Sequence, residues 1–551
     1  MKQKFKNIKW DFWTFAKIGV FIGFALFLIY PFLSLFLRSF FDVNGNITLE
    51  NFKTFFTYKY YYQTLFRSLL VAIVTTVMAV IIGVPFAYLT TRYNVWGKRI
   101  INVMIIMSLM SPPFIGAYSW IMLLGRNGVI TKFFATLGVS LPSIYGFTGI
   151  ILVFTLKLYP YVYLYVSGAL NSIDSSLEEA AENLGMSKWR RMLTVTFPVI
   201  LPTIGAAAIM VFMSSLADFG TPMLIGEGFK VLPVLVYEEF MSEMGGNPGL
   251  ASALSIIVVL CSMTVLLYQK RVVDKKVYSM STLRPPVEVK LKKIPRIFWT
   301  FISFLIATIT FLPQIVVVVT SFIKTQGPVF VKGFSLESYR TIFYKMGSSI
   351  RNTFTFSFVA IVIIIVVGII IAYLITKRRS KSSEVLDILV MMPYVIPGAV
   401  LGIGLSLAFK NGPLALTGTP AIMILAYVIR KMPYTVRSSG AMLQQVDQSV
   451  EEASINLGVS PMRSFFKITA RLMLPGIVSG AILSWISTIN ELSSSIMLYT
   501  GKTQTISVAI YTEVIRASFG TAAALASILT VATIISFIIF NIVSKGKVSV
   551  V

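Results

Sequence analysis

The chain has 551 residues, of which 56% are hydrophobic and only 13% charged, with a mean hydropathy of +0.81 and a formal charge of +26. Such a composition excludes a soluble globular domain and describes a polytopic membrane protein. With no histidine and one cysteine, Cys261, there is no intrachain disulfide, and imidazole or thiolate metal centres and histidine-dependent catalytic triads drop out.

In chain order, the cluster Lys2, Lys4, Lys6 and Lys9 precedes the first apolar run, 18-37. That run is too long for a signal-peptide core and lacks a small-residue cleavage site, so it is read as a retained first span. Trp10 and Trp13 fit headgroup depth beside it. Further runs long enough to cross about 30 Å of hydrocarbon lie near 66-90, 100-124, 147-170, 199-222 and 250-269. Cys261, in the last of these, reads as a packing residue. A second series follows near 298-322, 353-376, 386-408, 420-442, 474-496 and 521-544. The predicted fold is an all-α polytopic membrane protein of two six-helix halves, 1-269 and 298-551.

Between the halves, 270-297 carries Lys270, Arg271, Lys275, Lys276, Arg284, Lys290, Lys292, Lys293 and Arg296 around Pro285-Pro286. The cations at span ends, including Arg92, Lys98, Arg99 and Lys377 to Lys381, are explained by the positive-inside rule rather than by nucleic acid. The rule places the linker and both termini in the cytoplasm. The outer loops, 39-63 and 323-350, are mixed polar and aromatic.

Two polar loops, about 172-202 and 444-475, carry an internal repeat. Glu178-Glu179-Ala180-Ala181-Glu182-Asn183-Leu184-Gly185 returns as Glu451-Glu452-Ala453-Ser454-Ile455-Asn456-Leu457-Gly458, and Ser187, Arg190 and Thr196 return as Ser460, Arg463 and Thr469 at the same offset. This is the long period of a duplicated domain. Both copies follow the fourth span of their half, so the halves are parallel, which places a pathway between them. Each loop reads as a short helix capped by Asp174 or Asp447, a left-handed stop at Gly185 or Gly458, and a second helix. The small residues Ala180-Ala181 and Ala453-Ser454 let another backbone come close, and the flanking acids suit ion pairs at its rim.

Glu-Ala-Ala, three residues, Gly, and a hydrophobic-Pro end resemble the signature of the membrane subunits of binding-protein-dependent ABC importers. The resemblance covers nearly the whole chain and implies the type I ABC importer permease fold. It implies that the loops are coupling helices docking into two copies of a separate ATPase, with Glu178, Glu179, Ala180, Ala181 and Gly185 serving one and Glu451, Glu452, Ala453, Ser454 and Gly458 the other. It also implies an extracytoplasmic binding protein, alternating access, a bacterial cytoplasmic membrane, and ATP and Mg held by the ATPase with no cofactor on this chain. The second copy departs at Ser454 and at Arg471, which stands where the first has Pro198. A different exit and unequal docking are therefore expected.

Gly501-Lys502-Thr503 looks like the end of a phosphate loop, but Ile496 occupies the place of its first glycine, so no ATP site is read here. Asp218 and Glu491 share the repeat offset, as do Ser214-Ser215 and Ser487-Thr488. Acids at membrane depth usually face a bundle interior or a watery cavity. At 1.5 Å per residue from Pro202, Asp218 lies roughly 24 Å up its helix. Three readings stay open: an outer gate favouring a cationic substrate, a contact with the substrate-delivery protein, or acids that pair with nearby bases or cap broken helix ends. Ser111-Pro112-Pro113, Pro393 and Pro397 predict kinks, and Pro160-Tyr161 recurs as Pro433-Tyr434.

The two-by-six arrangement, with Asn490-Glu491-Leu492-Ser493, resembles the ferric-iron branch of that family. Thiamine, phosphonates, sugar phosphates and polyamines are the alternative cargoes. A twelve-span secondary transporter is the rival class, and it tends to place coupling charges nearer the midplane.

Overall fold

A computed structural model describes residues 11–42, 44–112, 115–242, 246–272, 288–327 and 329–543. Lys2, Lys4, Lys6, Lys9, Trp10, Pro113, Lys275, Lys276, Arg284, Pro285, Pro286 and both termini lie outside them. Each apolar run is helical, because about 20 apolar residues in hydrocarbon must satisfy their own backbone. Among the described residues eight helices are long and apolar enough to cross a membrane, and two bent pairs bring the number to ten. The other two expected spans fail that test for physical reasons. The run 100-124 is broken between Lys98–Leu109 and Ile115–Leu124, at the Ser111-Pro112 step. Pro420–Gln444 is long enough but holds Arg430, Lys431 and Arg437.

The duplication is visible in the element bounds. Phe147–Asn171 matches Pro420–Gln444, Ser175–Asn183 matches Gln448–Asn456, and a π turn at Met192–Thr196 matches one at Phe465–Thr469, all at the repeat offset. Pro160 and Pro433 sit inside unbroken helices, whereas Pro397 stands at the break between Lys381–Val395 and Gly398–Ala408. The fifth and eleventh spans end earlier than expected, at Ala217 and Ile489, each followed by short helices, Gly220–Ile225 and Leu232–Met241 in the first half and Ser495–Leu498 and Ile506–Ile515 in the second.

The outer loops also repeat. Thr48-Leu49-Glu50 and Ser335-Leu336-Glu337 each start a helix, and the Thr48 and Ser335 hydroxyls accept from the Glu50 and Glu337 amides at 3.0 and 3.1 Å. The second is preceded by a small antiparallel hairpin, Ile323–Gln326 with Val329–Phe334, a departure from a wholly helical chain.

The first span of each half packs on the other half. Phe12–Arg38 lies against the second: the Trp13 ring stacks on Tyr373 at 4.2 Å and the Tyr30 hydroxyl donates to the Ala408 carbonyl at 3.4 Å. Lys293–Ser321 lies against the first, where the Ser119 hydroxyl donates to the Pro313 carbonyl at 2.8 Å and Tyr159 and Thr310 share a hydrogen bond at 2.8 Å.

Within each half, spans two and four pack through a glycine. A Cβ on Gly83 would stand 2.7 Å from the Val162 Cβ; at the equivalent contact, one on Gly368 would lie 3.3 Å from the Thr435 Cγ2. Small residues let membrane helices approach closely. Gly83→Val is therefore expected to cost about 1–3 kcal/mol by overpacking, read as an earlier thermal unfolding midpoint in detergent. Gly19→Val, at a site with open space around it, is expected to stay within about 0.5 kcal/mol.

Candidate functional site

The two loops form nearly identical devices. Asp174 and Asp447 cap their helices by accepting from the Ser176 and Ser449 amides, each at 2.9 Å. The bonds from Ser449 hold the Asp447 carboxyl below its ordinary range. At the other end Gly185 and Gly458 adopt φ of 78° and 88°. The Gly185 and Met186 amides donate to the Glu182 and Ala181 carbonyls, and Gly458 and Val459 donate likewise to Ile455 and Ser454. This is the double-bonded left-handed stop, and a side chain at either glycine would strain it.

The structure divides the ten loop residues named from sequence. Glu179, Ala180, Gly185, Glu452, Ala453 and Gly458 are exposed, together with Leu184 and Leu457 at 78% and 85% exposure. Ala181 and Ser454 are buried against the chain itself, so the small-residue patch open to a partner narrows to Ala180 and Ala453. Glu178 and Glu451 also turn inward. Glu178 pairs with Arg92 at 2.7 Å and accepts from the Thr196 hydroxyl at 2.8 Å. Glu451 accepts from the Tyr373 hydroxyl at 2.6 Å and from Thr469 at 3.2 Å. The reason is helical geometry: adjacent residues on a helix point about 100° apart, so the rotation that packs Glu178 against Arg92 and Glu451 against Tyr373 leaves Glu179 and Glu452 on the exposed side.

The exits differ. The first loop runs into the fifth span as one continuous Lys188–Ala217 helix, whereas Pro461–Leu472 and Leu474–Ile489 meet at a 71° bend, beside Arg471.

Asp218 and Glu491 sit at the helix ends far from the loops, and both are paired. Asp218 meets Lys157 at 2.6 Å and caps the next helix by accepting from the Thr221 amide at 3.1 Å. Glu491, 5% exposed, is held between Arg430 and Lys431, the latter at 2.5 Å, and accepts from the Ser494 amide at 3.0 Å. Lys157 and Arg430 share the repeat offset, and Lys431 stands where the first half has Leu158. The acids therefore supply no net negative charge: the first cluster is neutral and the second carries one excess cation. Of the readings left open for these acids, the structure shows pairing with bases on the neighbouring span and capping of the next turn. The signal was in the sequence, as a cation deep in an apolar span at the offset of each acid.

The four hydroxyl residues also separate. Ser214 and Ser487 are half-buried, while Ser215 and Thr488 are buried, Thr488 donating to the Ser484 carbonyl of its own helix at 2.6 Å. Two contacts join the halves here, and sequence reasoning named none of Met210, Tyr394, Tyr237 and Tyr511. The Tyr394 hydroxyl meets the Met210 sulfur at 3.8 Å and its ring meets Tyr434 at 5.9 Å. The Tyr511 hydroxyl meets that of Tyr237 at 3.3 Å, between the short helices Leu232–Met241 and Ile506–Ile515. Thr503 is buried against Thr500, and Asn352 holds the Lys502 carbonyl, so this turn cradles no phosphate. Among the described residues no group of three metal-ligating side chains occurs.

A solved bacterial ABC transporter involved in alginate import covers 50% of this chain and 100% of its own at 17% identity, with a TM-score of 0.43. The ferric transport system permease protein FbpB of Actinobacillus pleuropneumoniae is 26% identical over 542 residues, 96% of this chain and 77% of that protein. A putative ferric transport permease of Haemophilus influenzae is 27% identical over 493 residues, covering 87% of this chain and 76% of the relative. Residues 79–277 and 364–548 each match one family, so the duplication read from the loops is a duplication of a whole module. The chain is a fused permease belonging to the binding-protein-dependent transport system inner membrane components, a multi-pass membrane subunit of an ABC importer.

Proposed function

We propose that this permease passes ferric iron, received from an extracytoplasmic binding protein and driven by two ATPase subunits. The observation that carries the cargo is the similarity to a ferric transport permease over 96% of the chain. The paired acids no longer contribute to that choice. ATP and Mg belong to the ATPase, which docks at Glu179, Ala180, Leu184 and Gly185 on one loop and Glu452, Ala453, Leu457 and Gly458 on the other. Both loops, the linker and both termini face the cytoplasm.

Transport follows from geometry rather than bond chemistry. Closure of the ATPase pair draws the two loops together, the halves rock about the axis between them, and the outer contacts Tyr237–Tyr511 part. The pathway runs past Tyr394, Tyr434, Ser214 and Ser487, with the Met210 sulfur beside the Tyr394 hydroxyl.

The test is uptake into vesicles holding the chain with its ATPase and binding protein. ATP-dependent accumulation of radiolabelled ferric iron is the expected result. Accumulation of thiamine, a phosphonate, a sugar phosphate or a polyamine instead would replace the cargo, and gradient-driven uptake without ATP would replace the class.

A further inference from the structure

Glu178 and Glu451 are the inward members of the two Glu-Glu pairs, and each sits where three parts of the chain meet. Glu178 joins the loop helix to the end of the second span through Arg92 and to the π turn of the fifth span through Thr196. Glu451 joins the second loop helix to the eighth span through Tyr373 and to the matching π turn through Thr469. The anchors differ in chemistry, a buried guanidinium in one half and a phenol in the other, but the arrangement is the same.

Beyond each anchor lies the first span of the opposite half. The Val289 amide donates to the Arg92 carbonyl at 2.8 Å, the Asn94 amide donates to the Val289 carbonyl at 3.3 Å, and Lys98 pairs with Glu288 at 2.8 Å. This strand-like pairing ties the Arg92 turn to the start of Lys293–Ser321. In the other half Tyr373 is sandwiched by aromatic contact with Trp13 at 4.2 Å and Phe465 at 4.7 Å, while Arg378 pairs with Asp11 at 2.6 Å and Lys17 donates to Ser380 and Ser382. These contacts tie the Tyr373 turn to the start of Phe12–Arg38.

We propose that Glu178 and Glu451 are positioning residues that carry movement of each loop helix crosswise, to the first span of the opposite half. Glu178 acts through Arg92 and residues 288–291, and Glu451 acts through Tyr373 and Trp13. Because each loop moves a span of the other half, one loop cannot move its own half alone, and the two halves switch together. The inference rests on the reading that the loops dock an ATPase.

A double-mutant cycle tests it, using the full chain purified with its ATPase in lipid. Cys261→Ser leaves no native thiol, so spin labels can be placed at Phe56→Cys and Phe343→Cys, which are 68% and 66% exposed on the outer helices, one in each half. ATP is expected to shift the distance between the labels in the parent chain. Glu451→Gln and Trp13→Ala are each expected to lower the shifted fraction at least about three-fold, and the double variant to be no worse than either, as for residues acting in one unit. Trp13→Ala with Glu178→Gln is expected to give the product of the two losses. Glu451→Asp, which keeps the carboxylate, should recover most of the shift.

Losses of Trp13→Ala and Glu451→Gln that multiply would overturn the crosswise path. Trp13→Leu, which keeps the site apolar and filled, serves the same cycle if the alanine variant does not accumulate. A parent chain that recovers no ATPase overturns the docking reading and this inference with it, whereas recovery with multiplying losses overturns this inference alone.

Discussion

Glu179→Lys is expected to release the ATPase. The residue is exposed on the first loop helix beside Ala180 and Leu184, while the helix itself is fixed from behind by Glu178, Arg92 and Thr196. On the docking reading proposed above, the reversal places a cation where the partner's groove would meet an acid. A reversed charge inside a docked interface costs about 2–5 kcal/mol, or roughly 30- to 5,000-fold in affinity. Recovery of the ATPase with the tagged permease should fall accordingly, with unchanged membrane accumulation of the chain. Glu452→Lys is expected to act in the same direction but less strongly. The second copy departs from the family pattern at Ser454 and Arg471, and its exit passes a 71° bend, whereas the first exit is a continuous helix. Equal losses at the two sites would remove the asymmetry, and no loss at either would remove the docking surface.

Glu491→Gln is expected to destabilise the whole chain. It leaves Arg430 and Lys431, with side chains 17% and 9% exposed, facing one another without a counter-charge. Removing one partner of a buried ion pair costs about 3–5 kcal/mol, which should appear as an earlier thermal unfolding midpoint in detergent. Asp218→Asn should cost less, about 1 kcal/mol, because Lys157 is more exposed and retains access to water. Restoring neutrality separates a structural role from a gate. Combining Glu491→Leu with Arg430→Met and Lys431→Leu replaces the cluster with apolar side chains, an exchange that is often neutral. Recovery of both stability and uptake makes the cluster a staple of the outer helices. Recovered stability without uptake would restore a gating role to the charges.

The fold was largely legible because membrane insertion writes itself into composition. An apolar run of some 20 residues has few alternatives to a spanning helix, and each expected run is helical in the structure. The exceptions have two causes: Ser111-Pro112 and Pro397 break helices that hydropathy alone reads as continuous, and Asp218 and Glu491 end theirs by capping the next turn. The candidate site was legible only in outline. The repeat located the loops, but the letters Glu-Glu do not say which carboxylate faces the protein, since that depends on how the helix is rotated against Arg92 or Tyr373. The acids were located as well, but not their partners.

Sequence by itself determined that the chain lives in a bilayer, that its two halves are copies in parallel, where the two loops lie and which glycines end their helices. These are local or self-similar properties, carried by composition, periodicity and a constant offset. Tertiary structure alone decided that each first span crosses to the opposite half, that Glu178 and Glu451 clamp while Glu179 and Glu452 face out, and that Asp218 and Glu491 are both neutralised. Each of those depends on which surfaces meet after the chain has folded. The Lys157–Asp218 pair spans 61 residues and the Trp13–Tyr373 stack more than half the chain, separations over which hydrophobic pattern reports that a face is buried but not what it is buried against.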